Sequence, residues 1–219
     1  MNFSATLDFL TELQQNNHKE WFDANRKTYE SVRAEFKEIL KQVLADLAAK
    51  EEDLMGLEPK DVMFRINRDI RFSKNKSPYK ENMGAFMGKG GRKTEQAGYY
   101  LHVQPNDESF IAGGVYMPAS EELKKIRQEI DYNPGELKKI VEEPVFEQTW
   151  GALVGEKLKT APKGYPKDHP NLELLKHKSF IVMHKLTDKA MRTDGIIDSI
   201  LKDFDTLRPM NTYFNVALS

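Results

Sequence analysis

The feature that most constrains this chain is a change in the spacing of its apolar residues near residue 60. In residues 4–15 and 19–50, apolar side chains recur every three or four positions, which is the period of an amphipathic helix. From there, Val62, Phe64 and Ile66 occupy every second position, which is the period of a half-buried strand. The change predicts helices followed by a sheet, and therefore an α+β fold.

Three later segments also carry the strand signal. Residues 98–105 (GYYLHVQP) alternate, and residues 110–118 (FIAGGVYMP) follow a turn-prone Pro-Asn-Asp, so we predict that these two segments pair as a hairpin. The pair Gly113-Gly114 indicates a bulge or a close approach of another backbone. Residues 178–186 are the remaining strand candidate.

Helical periodicity returns after the hairpin. Helices are predicted to begin near Ser120, Asn133 and Asp194, and the last carries an apolar stripe that ends where Pro209 is predicted to break the helix. The tract 159–171 contains three prolines and is interpreted as a loop. We therefore predict one α+β domain over residues 1–219, with helices at both ends packed on a largely antiparallel sheet.

Charge is distributed unevenly along the sequence. The net charge of the whole chain is −1, but residues 64–93 hold nine Lys or Arg and two acids, a local charge of +7. The remainder holds 24 basic and 32 acidic residues, a charge of −8. This asymmetry is typical of a local anion site on an acidic body, whereas a protein that coats long nucleic acid is usually basic overall.

The cations concentrate in residues 64–84, FRINRDIRFSKNKSPYKENMG. They alternate with apolar and aromatic residues, and the segment is predicted to leave its strand at Ser73 and turn before Tyr79. Guanidinium groups bind phosphate or carboxylate through paired hydrogen bonds, and nearby lysines add charge. The predicted ligand-binding residues are Arg65, Asn67, Arg68, Arg71, Lys76, Tyr79, Lys80, Tyr100 and His102. The alternative interpretation is that these arginines form salt bridges with acids elsewhere in the protein.

His102 is the candidate catalytic residue. It shares a predicted strand face with Tyr100 and Gln104, and that face is predicted to meet Arg65 and Asn67 on a neighbouring strand. There, nearby cations would lower the pKa of the imidazole and leave it able to exchange protons. The alternative is a histidine with an ordinary structural role.

Several classes of protein are excluded or disfavoured. The absence of cysteine excludes disulfides, thiolate nucleophiles and cysteine-ligated metals. No GxSxG, Walker A or GxGxxG pattern is present, and the histidines lack metal-ligand spacing, so no metal site is predicted. No pattern points to a cofactor or to an oligomeric state. The sequence shows no signal peptide and no membrane-spanning run, so a cytoplasmic location is predicted.

Four strings give the chain a resemblance to a known family: FRINRDIRFSKNKSPYK, GYYLHVQP with FIAGGVYMP, PKGYPKDHP with LLKHKSF, and FLTELQQNNHKEWFDANRKTYE. Together they resemble the bacterial and fungal family catalogued as domain of unknown function 2461. The resemblance covers nearly the whole chain and implies a single-domain protein without an assigned reaction. It implies a central motif of Arg65, Asn67, Arg68, Asp69, Arg71, Phe72, Ser73, Lys76, Pro78, Tyr79 and Lys80.

Three functions are consistent with the sequence. The first is a protein that binds a small phosphorylated or carboxylated molecule, as an enzyme or otherwise. The second is a nucleic-acid binding module in which Phe72 or Tyr79 stacks on bases. The third is an interaction protein in which Arg68 and its neighbours are internal salt-bridge partners.

Overall fold

The structure is a computed structural model that describes residues 1–71 and 74–219. The helices over these residues are α1 Ser4–Gln15, α2 Lys19–Ala24, α3 Arg26–Ala48, α4 Pro59–Val62, α5 Ser120–Tyr132, α6 Pro134–Val141, α7 Pro144–Trp150, α8 Leu172–Leu175, α9 Asp188–Met191 and α10 Ile196–Leu218, with a 3-10 turn at Glu52–Leu54. The strands are β1 Met83–Met87, β2 Gly98–Val103, β3 Ser109–Val115 and β4 Phe180–Leu186. They form an antiparallel sheet in the order β1-β2-β3-β4, which confirms the α+β class and the predicted hairpin.

Contacts between residues divide the chain into two compact units. The first unit contains residues 1–92, 100–111 and 185–201, and the second contains residues 93–99, 112–184 and 202–219. Among the residues that the structure describes, no helix has the length and apolar character that crossing a bilayer requires.

In the first unit, α1 packs against α3. Phe3, Leu10 and Phe36 are fully buried, and the rings of Phe3 and Phe36 lie 6.2 Å apart. The predicted helix over residues 4–15 is confirmed, but the single helix predicted over residues 19–50 is wrong. It is divided at Asn25, whose side-chain amide donates to the Trp21 carbonyl (2.9 Å) and so competes with the helical hydrogen bonds.

The strand predicted at residues 62–66 is also wrong. Val62 ends α4, and the following residues pair with the chain that leads into β1 at two isolated bridges, Met63 with Ala85 and Asn67 with Tyr79. Met63 and Asn67 are four positions apart, whereas their partners Ala85 and Tyr79 are six positions apart. The arm from Tyr79 to Ala85 therefore contains two extra residues, which form a bulge. We call residues 63–71 and 74–85 the basic ribbon. On the opposite arm of the ribbon, Phe64 keeps 37% of its surface exposed, unlike its buried neighbours Val62 and Ile66.

In the second unit, α10 covers the end of β3. Leu207, Met210 and Phe214 are fully buried along one side of this helix, which continues through Pro209 instead of ending there. A proline inside a helix costs about 3 kcal/mol or more, and burying each of these three side chains contributes about 1.5–3 kcal/mol. Packing therefore outweighs the local preference of Pro209 to break the helix.

The pair Gly113-Gly114 allows this close packing. A Cβ atom on Gly113 would lie 2.3 Å from the Leu207 side chain, and one on Gly114 would lie 2.0 Å from the Phe180 carbonyl oxygen. Gly114 also has φ +107°, which side-chain-bearing residues rarely adopt. The predicted close approach of another backbone is confirmed.

We expect Gly114→Ala to destabilise the protein by about 3 kcal/mol or more, since it combines backbone strain with a steric clash. Chemical unfolding would measure the change. The matched control is Gly164→Ala, because Gly164 has φ +95° but no atom near its Cβ position. The control isolates the backbone strain, so equal losses in the two variants would contradict the argument.

Candidate functional site

Tyr79 anchors the basic ribbon in the first unit. Its ring is 94% buried and stacks on Phe22, with 3.9 Å between ring centroids and an interplanar angle of 14°. The Asn17 side chain pairs with the Tyr79 backbone as a strand would, accepting from its N–H and donating to its carbonyl, both at 3.1 Å. The ring of Tyr79, predicted to bind ligand, is thus engaged in packing.

Arg65, Arg68 and Lys80 lie together beside this anchor, and we call them the cation cluster. Arg68 Nε and Nη2 each donate to the Tyr79 carbonyl at 3.3 Å. Lys80 Nζ donates to the Arg65 carbonyl at 2.9 Å and lies 5.5 Å from the centroid of the Phe64 ring. These contacts hold the lysine head group in place near the two arginines.

The charges of the cation cluster repel one another. Burial lowers the pKa of Lys80, and the charges of Arg65 and Arg68 lower it further. Within residues 1–71 and 74–219, no carboxylate forms an ion pair with any of the three. Arg65 does act on one acid, Asp69, but the pKa of Asp69 is lowered mainly by its hydrogen bonds with Arg71, and the charge of Arg65 is the smallest cause. An anion bound here would relieve this repulsion.

Other predicted site residues lie elsewhere on the ribbon. Arg71 forms a two-point ion pair with Asp69 at 3.0 and 2.6 Å, and the exposed Lys76 donates to the Ile70 carbonyl at 2.9 Å. Asn67 is exposed and bridges Tyr79 through its backbone. Phe72 and Ser73, which belong to the predicted central motif, lie outside the described residues.

Tyr100, His102 and Gln104 form a hydrogen-bonded row on one face of β2. The Tyr100 hydroxyl lies 3.0 Å from His102 Nδ1, and His102 Nε2 lies 3.0 Å from Gln104 Oε1. The amide oxygen of Gln104 only accepts, so neutral His102 carries its proton on Nε2 and Tyr100 donates to Nδ1. Burial raises the pKa of Tyr100 to about 12, which keeps that donor protonated.

The two groups of residues meet at Phe64. The Phe64 ring contacts Lys80 and also meets the Tyr100 ring edge-on, with centroids 6.3 Å apart. The Tyr100 hydroxyl lies over Gly84, whose carbonyl accepts from the Phe64 N–H at 2.9 Å. The sequence had paired the Tyr100 and His102 face with Arg65 and Asn67 and had placed Phe64 on the opposite side of its strand. In the structure, Phe64 is the residue that meets Tyr100.

The cause of the His102 pKa shift differs from the prediction. The pKa is lowered, as expected, but burial lowers it, while the Gln104 hydrogen bond and the charge of Glu108 raise it. The cations of the ribbon are not among the causes. Burial therefore favours the neutral form of His102.

We expect a pH-dependent stability from this histidine. Its pKa in the unfolded chain is the ordinary 6.5 and its folded value is lower, so the unfolded state binds the proton first as the pH falls. Stability is thus lost below pH 6.5 and is unaffected above it. Urea unfolding at pH 7.5, 6.5 and 5.5 should show a smaller loss in His102→Gln than in the unmodified protein. Equal losses would assign the pH dependence to other groups, such as the buried His177, whose pKa burial also lowers.

The family model described as conserved hypothetical protein (DUF2461) matches residues 5–213. The chain belongs to this family. No curated protein and no solved structure matches the chain.

The proline-rich loop of this DUF2461 chain has a structural histidine. His169 Nδ1 accepts from the Asn171 N–H at 3.0 Å, so its other nitrogen donates to Asp131 Oδ1 at 2.8 Å. Nε2 therefore ties the loop to α5, while Nδ1 holds the backbone of the loop itself. Asn17, which pairs with the Tyr79 backbone of the basic ribbon, was not among the predicted site residues. Nothing in its local sequence indicates a partner 62 positions away.

Proposed function

We propose that this protein binds a small molecule with a phosphate or carboxylate group, at the cation cluster of Arg65, Arg68 and Lys80. The observation that carries the proposal is that three neighbouring cations, one of them half-buried, lack a carboxylate partner among the described residues. Partly desolvated like charges are unfavourable, and an anion with several oxygens can accept from all three at once.

Two contacts support a rigid arrangement of the cluster. Lys80 is held by the Arg65 carbonyl, and Arg68 is held by the Tyr79 carbonyl. Each of these donors has further N–H groups for a ligand. A cluster that is positioned before binding loses less side-chain entropy when the ligand arrives.

The other functions receive less support. Tyr79 is buried against Phe22 and has no free face for a base, which removes one of the two stacking residues that a nucleic-acid module needs. Arg68 donates to a carbonyl group, which differs from the internal salt bridge that the interaction-protein hypothesis requires. His102 stays the predicted catalytic candidate, and a cytoplasmic location stays a prediction.

Thermal unfolding with added anions tests the proposal. We expect phosphate to raise the melting temperature above that in chloride at equal ionic strength, because a ligand that binds only the folded state stabilises it. At a hundredfold excess over its Kd, the gain is about 2.7 kcal/mol. A panel of phosphorylated and carboxylated compounds without any shift would overturn the proposal. A response to short DNA alone, steeply weakened by salt, would favour nucleic-acid binding instead.

A further inference from the structure

An aromatic surface continues from the cation cluster across the sheet. Beyond Phe64 and Tyr100 lie His102 and Phe110, whose rings stack with centroids 4.5 Å apart at an angle of 16°. Tyr100 lies 5.6 Å from Phe110, so the four rings form one connected group. Phe64 is exposed over 37% of its surface and the other three are half-buried, so the group is partly open to solvent.

This surface begins where the cations are. Lys80 Nζ lies 5.5 Å from the Phe64 ring, and Arg65 is the next residue along the chain. The group attached to an anion held by these cations would therefore extend over Phe64 and Tyr100. Ring faces bind other aromatic rings by stacking, and a stacked base contributes about 1–3 kcal/mol.

The far side of the surface offers polar groups as well. The Gln104 amide oxygen is engaged by His102, while its amide nitrogen remains a hydrogen-bond donor. A heterocycle with ring nitrogens or carbonyl groups would be matched by such a donor, whereas a plain hydrocarbon ring would not.

We propose that the ligand of the cation cluster is a phosphate ester of an aromatic heterocycle, of the size of a nucleoside monophosphate, whose ring lies on Phe64 and Tyr100. This inference rests on the proposed anion binding and narrows its ligand class. Sugar phosphates and small carboxylates are thereby predicted to be poor ligands.

Calorimetric titration with three probes separates the two proposals. In the unmodified protein we expect AMP to bind at least about tenfold more tightly than ribose 5-phosphate, because one stacked base contributes that much. Inorganic phosphate should bind no more tightly than ribose 5-phosphate. If AMP and ribose 5-phosphate bind equally, the aromatic ligand is overturned and the anion site stands. If none of the three binds, both proposals fail.

The variant Phe64→Leu tests the role of the ring. Leucine keeps an apolar side chain beneath Lys80 but removes the stacking face, so AMP should lose about tenfold in affinity while ribose 5-phosphate is unchanged. An unchanged preference for AMP would overturn the placement on Phe64. Should this variant fail to fold, NMR contacts between the adenine protons of AMP and aromatic protons of the unmodified protein decide the question, and their absence counts against the proposal.

Discussion

Arg65→Gln combined with Lys80→Met is expected to abolish the stabilisation of this protein by phosphate. Both changes remove a positive charge and keep a side chain of similar length, so that the apolar part of each side chain is retained. A hydrogen bond to a charged group contributes about 1.5–3 kcal/mol, so each single variant should bind at least about tenfold more weakly. In the unmodified protein, the 2.7 kcal/mol gained at a hundredfold ligand excess corresponds to about 5–10 °C in melting temperature.

The matched control for these variants is Arg71→Gln. It removes a charge from the same ribbon, but that charge is balanced by Asp69 at 2.6 Å and lies outside the cation cluster. We expect the phosphate response to persist in this control. If Arg71→Gln and Arg65→Gln weaken binding equally, the anion is held by the general charge of the ribbon and the cluster has no special role.

The stability of the ligand-free protein gives a second check on the cation variants. Because Lys80 is repelled by Arg65 and Arg68, removing its charge should leave the ligand-free protein as stable as before or more so. A loss of phosphate binding without a loss of stability would therefore separate a ligand site from a structural network. A large loss of stability in Lys80→Met would instead show that its hydrogen bond to the Arg65 carbonyl braces the ribbon.

Regular elements of this fold could be predicted from the sequence because their spacing reflects burial. Helix α1 and strands β2 and β4 lie where periodicity placed them, since each buries one face more than the other. Strand β3 also lies in its predicted segment, although it is buried along most of its length. The irregular parts could not be predicted in this way. The basic ribbon pairs at isolated bridges with two extra residues between Tyr79 and Ala85, and Phe64 on the opposite arm is partly exposed. No local pattern encodes the segment with which residues 63–67 pair.

Part of the candidate site could also be predicted from the sequence, because its cations are close along the chain. The charge pattern identified Arg65, Arg68 and Lys80, which lie together in the structure. It also included Arg71, which is paired with the carboxylate of Asp69, and Lys76, an exposed side chain that donates to the Ile70 carbonyl. Sequence shows that cations are close along the chain, but only the fold shows which of them lie together and which have a carboxylate partner.

Tyr79→Ala is expected to destabilise the protein by about 3–5 kcal/mol, the usual cost of removing a large buried aromatic side chain. The ring fills the space against Phe22, and its loss leaves a cavity beneath the ribbon. For a chain of this size, each kcal/mol lowers the melting temperature by about 2–4 °C, so the change should be about 6–20 °C. Chemical and thermal unfolding would measure it.

Tyr79→Phe separates packing from ligand contact. Phenylalanine keeps the stacking on Phe22, and the backbone pairing with Asn17 does not involve the side chain of residue 79. We therefore expect this variant to keep nearly full stability and full phosphate binding. A stable Tyr79→Phe protein that has lost phosphate binding would show that the hydroxyl touches the ligand. Normal binding in that variant, together with the large loss in Tyr79→Ala, would establish Tyr79 as the anchor that holds the cation cluster in position.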